Sequence, residues 1–268
     1  MAGETTHRWI VVLDIENFSP RPDPVQRRVR AAMYEVLDGA MERAGLMAAD
    51  TVVEDRGDGV LMLISSSVSP LLIAGPLVRE LDEELAQKAN MLNEAHALRF
   101  RVALHQGLVT RDPRGWSGDA VNTACRLVDA QPLRDVLTAA PSARMVFAVS
   151  DQTYQGVIRH GHRGIDPAAY LPYGFTTKHG EAISSWITVP GYPAPPGLPT
   201  AAAGQQADDA GQQTGDAGQQ TADTVPAGAA GQATGGRGTV TMNAGTVQGD
   251  QVGGDKHVTV HTTGTARP

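Results

Sequence analysis

The chain has 268 residues, a net charge of −7 and 41% hydrophobic residues, so it can hold one sizeable core or two small ones. The acidic balance and the lack of clustered Lys and Arg among aromatic residues exclude a general nucleic-acid or anionic-membrane surface. A single cysteine, Cys125, excludes an internal disulfide framework and a multi-cysteine zinc site. A cysteine-poor chain suits a reducing compartment, so a cytoplasmic location is expected.

Neither export nor membrane insertion is expected. An acid, Glu4, stands where a signal peptide would carry basic residues, and no long apolar run follows it. The most apolar stretch, residues 60–74, is interrupted by four serines and Pro70 and is too short to span a bilayer.

Residues 8–189 alternate short β-branched runs with amphipathic stretches, which is typical of an α/β or α+β domain. The predicted strands cover residues 9–13, 51–54, 60–64, 100–104, 145–149 and 182–187. The predicted helices cover residues 24–44, 71–92 and 120–128. A Gly-Asp-Gly turn joins the second and third strands and predicts a hairpin. The pattern therefore predicts helices packed against one sheet.

The composition changes after Pro190. Residues 191–236 are rich in Gly, Ala, Gln and Pro and nearly free of large apolar side chains, which predicts a disordered linker. Residues 237–268 regain β-forming side chains and contain a short tandem, Val247-Gln-Gly-Asp followed by Val252-Gly-Gly-Asp. The sequence thus divides into a domain at 1–190, a linker at 191–236 and a short C-terminal motif at 237–268.

Two carboxylates stand at strand ends. Asp14 ends the first strand and Asp58 lies in the hairpin turn. A fold that pairs the first strand with the hairpin would bring both to one edge, where hard oxygen ligands suit magnesium or manganese. The alternative is that Asp14 caps a turn and Asp58 is the ordinary Asp of an Asp-Gly hairpin.

A third element opens a predicted helix. Asn122 and Arg126 are four residues apart, so they share one helical face, where an amide and a guanidinium could bind a ribose oxygen and a phosphate. The alternative is a solvated helix face.

Four segments of the chain form a recognisable set: Val12-Leu-Asp-Ile-Glu-Asn-Phe-Ser, Arg56-Gly-Asp-Gly-Val, Phe100-Arg-Val-Ala-Leu-His-Gln-Gly and Gly118-Asp-Ala-Val-Asn-Thr-Ala-Cys-Arg-Leu. In this order and spacing they resemble the motifs of class III nucleotidyl cyclases, the adenylyl and guanylyl cyclases, in a bacterial member of actinobacterial type. The resemblance spans residues 8–187. It implies an α+β, ferredoxin-like cyclase fold, with a central, mostly antiparallel sheet flanked by helices.

The resemblance also implies an activity. A nucleoside triphosphate would be converted to a 3′,5′-cyclic nucleotide and pyrophosphate, with two Mg²⁺ or Mn²⁺ ions held by Asp14, Asp58 and the backbone carbonyl of Ile15. Asn122 and Arg126 would stabilise the transition state. Lys178 resembles the family's triphosphate-binding lysine.

Family members work as head-to-tail dimers, in which the metal site of one subunit meets the Asn and Arg of the other. The resemblance therefore implies a homodimer with two equivalent sites, and an isolated subunit is expected to be inactive.

The choice of base is open. The two base-recognition positions of the family correspond to Glu54 and Gly115. A glutamate is similar to the guanylyl cyclase pattern because a carboxylate accepts hydrogen bonds from guanine, whereas Gly115 matches neither pattern. Trp116 could stack on a base or pack. Rebuilt recognition positions are also found in bacterial cyclases that make cUMP or cCMP as antiviral signals, so uracil and cytosine are options as well.

The segment from Val247 to Lys256 resembles short motifs at the ends of bacterial signalling proteins, some of which are thought to assemble by β stacking. A disordered, solubilising end is the alternative. Two functions follow: a cyclase for signalling or antiviral defence, or a non-catalytic, dimeric cyclase-like sensor that recruits an effector through this motif.

Overall fold

The computed structural model describes residues 4–177 and 180–198. The remainder of the predicted linker and the whole motif at 237–268 lie outside the described residues, and so does Lys178. The predictions made for them stay predictions.

Within residues 4–177 and 180–198, the strands form one eight-stranded sheet with the order β2-β3-β1-β4-β6-β8-β7, and β5 pairs with β4 outside this path. All neighbours are antiparallel except β4 and β6. The strands are β1 (Thr5–Ile15), β2 (Thr51–Asp55), β3 (Gly59–Ser65), β4 (Phe100–Asp112), β5 (Gly115–Ser117), β6 (Met145–Ser150), β7 (Leu171–Thr176) and β8 (Ala182–Thr188).

Six α-helices flank the sheet in the described part of the chain. They are α1 (Asp23–Ala44), α2 (Pro70–Leu72), α3 (Val78–Ala89), α4 (Asp119–Val128), α5 (Gln131–Ala139) and α6 (Asp151–Gly156). A π-helical turn, Ile73–Leu77, joins α2 to α3 and contains Pro76. A proline has no N–H to donate inside a helix, which accounts for a local departure from α-helical hydrogen bonding at this turn.

The two faces of the sheet are covered by different helices. Alternate residues of β1 point to opposite faces: Val11 and Leu13 pack in the cluster that contains α1 and α3, and Ile10 and Val12 pack in the cluster that contains α4. The predicted α+β fold, with a mostly antiparallel sheet between helices, is confirmed.

The hairpin predicted from the Gly-Asp-Gly turn is present as β2 and β3. Four elements were not predicted: β5, β7, α5 and α6. Residues 191–198, the first part of the predicted linker, continue the packing, since Tyr192 and Leu198 rest against a buried cluster that α5 shares with β6 and β8. The described residues contain no helix long and apolar enough to cross a membrane.

Candidate active site

Asp14 lies between two strands at the centre of the sheet. Its cross-strand partner on β3 is Gly59, and its partner on β4 is Arg101. Directly opposed side chains in an antiparallel pair come close together, and the Asp14 carboxylate forms an ion pair with the Arg101 guanidinium. The register of β1 therefore decides which groups surround this carboxylate.

Gly59 brings Asp58 to the same place. A Cβ atom built on Gly59 would lie 2.1 Å from the carbonyl oxygen of Leu13, so only glycine permits β3 to approach β1 here. The Ile15 N–H donates to the carbonyl oxygen of Asp58 at 2.9 Å. The end of β1 and the hairpin turn are thus joined by a backbone hydrogen bond, which places Asp14 and Asp58 at the same edge of the sheet.

A cavity of about 330 Å³ opens at this edge of the sheet. It is strongly polar, and it combines acidic residues with two arginines. The charged residues that line it are Asp14, Glu16, Asp58, Asp129, Arg101 and Arg134; Ile15 also lines it.

The loop after β1 forms one wall of this cavity and is held by Arg21. The Arg21 guanidinium donates to the carbonyl oxygens of Asn17 at 2.9 Å and Glu16 at 3.1 Å. Burial lowers the pKa of Arg21, with the charge of Glu16 opposing that effect, and the side chain still stays cationic at neutral pH. The two hydrogen bonds from Arg21 therefore hold the loop in its conformation, which includes the left-handed Asn17 (φ 53°).

The acidic pair fits a divalent cation. Magnesium usually binds through one or two carboxylates together with water and substrate phosphate, so Asp14, Asp58 and the Ile15 carbonyl are a suitable donor set. Among the described residues, no cluster of three or more His, Cys, Asp and Glu side chains offers a closed protein cage for a metal. This arrangement suits an ion that is shared with a phosphate ligand.

Asn122 and Arg126 lie elsewhere, on α4. Neither lines the cavity that contains Asp14 and Asp58. A close approach fixes this helix on β4, since a Cβ on Gly107 would lie 2.5 Å from the Cβ of Ala120. Asn122 is exposed, and Arg126 is partly exposed and paired with Glu181, the residue before β8. One protomer thus presents the two predicted halves of the site at separate places.

The predicted base-recognition positions meet each other. Gly115 (φ +140°) packs so closely on Glu54 that a Cβ would lie 3.1 Å from Glu54 Oε1. The other oxygen of the Glu54 carboxylate is 3.2 Å from Nη2 of Arg56. The Glu54 carboxylate is therefore already paired with a cation.

Arg56 also influences Cys125 on α4. Burial raises the pKa of the Cys125 thiol, and the charge of Arg56 opposes this rise.

Trp116 packs partly against the core cluster under α4. The guanidinium carbon of Arg8 lies 5.4 Å from its ring centroid and that of Arg111 lies 5.8 Å away, both within the range of cation–π attraction. The structure thus gives this ring a packing role and two cationic neighbours.

Sequence reasoning missed the two arginines of the cavity. Arg101 belongs to the strand motif at residues 100–107, but its contact with Asp14 depends on the pairing of β1 with β4. Arg134 belongs to α5, whose apolar residues Leu133, Val136 and Leu137 have helical spacing and could have revealed the helix.

Comparison with known proteins shows which solved structures have a similar fold. No protein-family model matches the sequence, and no curated protein is significantly similar to it. Among solved structures, the adenylate/guanylate cyclase/hydrolase from Silicibacter pomeroyi has a TM-score of 0.50 at 19% identity, over 70% of this chain and 99% of that one. At this identity the likeness establishes a cyclase-type fold.

Two further solved structures are similar. The guanylyl cyclase Cya2 has a TM-score of 0.49 at 16% identity, over 71% of this chain and 95% of that one. The guanylate cyclase domain of RhGC from Catenaria anguillulae in complex with GTP has a TM-score of 0.45 at 20% identity, over 69% of this chain and 98% of that one.

Proposed function

We propose that residues 1–190 form a metal-dependent class III nucleotidyl cyclase that converts a nucleoside triphosphate into a 3′,5′-cyclic nucleotide and pyrophosphate in the cytoplasm. The observation that carries this proposal is the convergence of Asp14, Ile15 and Asp58 on one cavity, on a cyclase-type fold. A cyclic nucleotide would serve intracellular signalling or antiviral defence.

Asp14, Asp58 and the Ile15 carbonyl would hold the divalent cations. When bound, Mg²⁺ or Mn²⁺ lowers the pKa of the ribose 3′-hydroxyl and neutralises charge on the phosphates. Asp58 forms no ion pair with any described residue, whereas the Asp14 carboxylate forms an ion pair with Arg101. The Arg101 guanidinium lines the same cavity and would bind a phosphate oxygen of the substrate.

Asn122 and Arg126 would complete the site from a second copy of the chain. In one protomer neither residue lines the cavity at Asp14 and Asp58 that would hold the ribose and the α-phosphate. In a head-to-tail homodimer the Asn122 amide would orient the ribose, and Arg126 would stabilise the charge that develops on the phosphate. Catalysis would then consist of positioning and electrostatic stabilisation.

Glu54, Gly115 and Trp116 would read the base. The Glu54 carboxylate can accept hydrogen bonds from the N–H groups of guanine, and Arg56 can donate to base carbonyls from the adjacent position. Gly115 leaves no side chain beside this carboxylate. These groups are compatible with guanine and with a pyrimidine, and Lys178 would contribute to triphosphate binding.

The experiment is incubation of the full chain with ATP, GTP, CTP and UTP in the presence of Mn²⁺, with detection of cyclic mononucleotides by mass spectrometry. We expect one product from the wild type and none from Asp58→Ala, because the variant lacks the carboxylate that has no other partner. Equal product from the variant would contradict the assignment of this cavity.

A non-catalytic cyclase-like sensor is the second candidate. The ion pairs Asp14–Arg101 and Arg126–Glu181 favour it, since two proposed active-site side chains are engaged within one protomer. In that case no nucleotide would yield product, and deletion of residues 236–268 would remove the biological output by preventing effector recruitment.

A further inference from the structure

Helix α5 forms a wall of the cavity that contains Asp14 and Asp58. Arg134 and Thr138 are four residues apart on one side of this helix, and both line the cavity. The opposite side, with Leu133, Val136 and Leu137, is buried in the cluster that α5 shares with β6 and β8. The Thr138 hydroxyl donates to the carbonyl oxygen of Arg134 at 2.9 Å, and the cationic group on this side of the helix is the Arg134 guanidinium.

Arg99 ties α5 to the loop after β1. Its Nη2 donates to the carbonyl oxygens of Leu137 at 2.7 Å and Ala140 at 3.0 Å, and its Nη1 lies 3.3 Å from Oε2 of Glu16. The helix and the cavity loop are therefore held in one arrangement, and the position of Arg134 at the cavity is built into the fold.

Arg101 and Arg134 line the same cavity. Arg101 is only 8% exposed and is paired with Asp14, and its Nε has no hydrogen-bond partner within the described part of the chain. An anion bound in this cavity would contact both guanidinium groups.

The present partner of Arg134 is a weak one. Arg134 forms an ion pair with Asp129, and the side chains are 44% and 71% exposed. An exposed pair is screened by water and contributes little, so a polyphosphate that offers several charged oxygens can displace the Asp129 carboxylate.

We propose that Arg134 contacts the outer phosphates of the nucleotide, together with Arg101, and so forms a polyphosphate subsite within the same protomer as Asp14 and Asp58. This inference rests on the proposed cyclase function and adds a substrate-binding residue to it. Arg134 would hold the leaving pyrophosphate.

The test is calorimetric titration of the full chain with inorganic tripolyphosphate in the presence of Mg²⁺. We expect Arg134→Ala to weaken binding about tenfold, the loss typical of one hydrogen-bonded charged contact. Arg134→Lys should fall between the two, because lysine keeps the charge and loses the forked geometry. Arg28→Ala, an exposed arginine on α1 outside the cavity, is the matched control and should bind as the wild type does.

The outcomes separate this inference from the function itself. Weaker binding by Arg134→Ala alone supports the subsite, even if the wild type makes no cyclic nucleotide. Binding by Arg134→Ala within about twofold of the wild type, or no tripolyphosphate binding by the wild type, overturns the subsite. If product forms, Arg134→Ala should raise KM for the triphosphate by a similar factor.

Discussion

Gly59 allows β3 to approach β1 where Asp14 and Asp58 lie at one edge of the sheet. Gly59→Ala should therefore lower the stability of the protein and displace the two carboxylates relative to each other. The new methyl group would lie 2.1 Å from the Leu13 carbonyl oxygen, whereas ordinary C···O contacts are at least about 3.3 Å. Strand β3 must therefore move away from β1 by about 1 Å at this point. That shift weakens the 2.9 Å hydrogen bond from Ile15 N–H to the Asp58 carbonyl.

The magnitude follows from two costs. Overpacking of a buried position costs about 1–3 kcal/mol, and a buried hydrogen bond left unmade costs about 1–3 kcal/mol. We therefore expect Gly59→Ala to lower the free energy of unfolding by about 2–6 kcal/mol, measured by urea denaturation with far-UV circular dichroism.

The matched control is Gly156→Ala at the end of α6, where the added Cβ meets nothing within 4 Å. It should change stability by less than about 1 kcal/mol. A change of less than about 0.5 kcal/mol for Gly59→Ala would refute the reasoning, because it would mean that β3 does not approach β1 closely.

Three further predictions concern single side chains. Burial lowers the pKa of His105, with the charge of His7 adding to this and Asp119 opposing it, so the unfolded chain binds the proton more readily. Stability is then fully present above the unfolded pKa of about 6.5 and is lost as the pH falls through and below it, by at most about 1.4 kcal/mol per pH unit. Urea titrations from pH 7.5 to 5 should show this slope in the wild type and a smaller one in His105→Gln; equal slopes would contradict the assignment. Glu181→Gln removes the carboxylate that competes with phosphate for Arg126, so it should lower KM for the triphosphate by up to about fivefold, and a raised KM would count against that competition. Leu37→Ala on α1, 1% exposed, should lower the free energy of unfolding by about 2–5 kcal/mol in the same urea assay, and a change below about 1 kcal/mol would show that α1 does not cover the core.

Much of the fold follows from local patterns in the sequence. The β-branched runs at β1, β3, β4 and β6 and the helical spacing of α1 and α4 are strong signals, and the Gly-Asp-Gly turn identifies the hairpin. β7 carries a weaker signal, because Pro172 and Gly174 interrupt the alternation of its partly buried residues. α5 was missed although Pro132 stands at its start, because its nine residues are short for a periodic pattern.

The site depends on contacts between distant parts of the chain. The approach of Asp58 to Asp14 could be predicted, because a hairpin and a central strand converge in any fold that pairs them. The pairing of Asp14 with Arg101, 87 residues apart, depends on strand register, and a one-residue slip would point Arg101 to the other face. The contact between Glu54 and Gly115 depends on how the β4–β5 hairpin folds across the sheet, which no local pattern specifies.

The central claim is that one active site is built from Asp14 and Asp58 of one protomer and Asn122 and Arg126 of its partner. The most direct measurement is complementation between Asp58→Ala and Arg126→Ala, each assayed alone and after equal mixing with the triphosphate that the wild type accepts. Each variant alone should be inactive, and the mixture should regain about a quarter of wild-type activity, because half of the dimers are mixed and each has one intact site. An inactive mixture that still forms mixed dimers, or a single variant with full activity, would contradict the account.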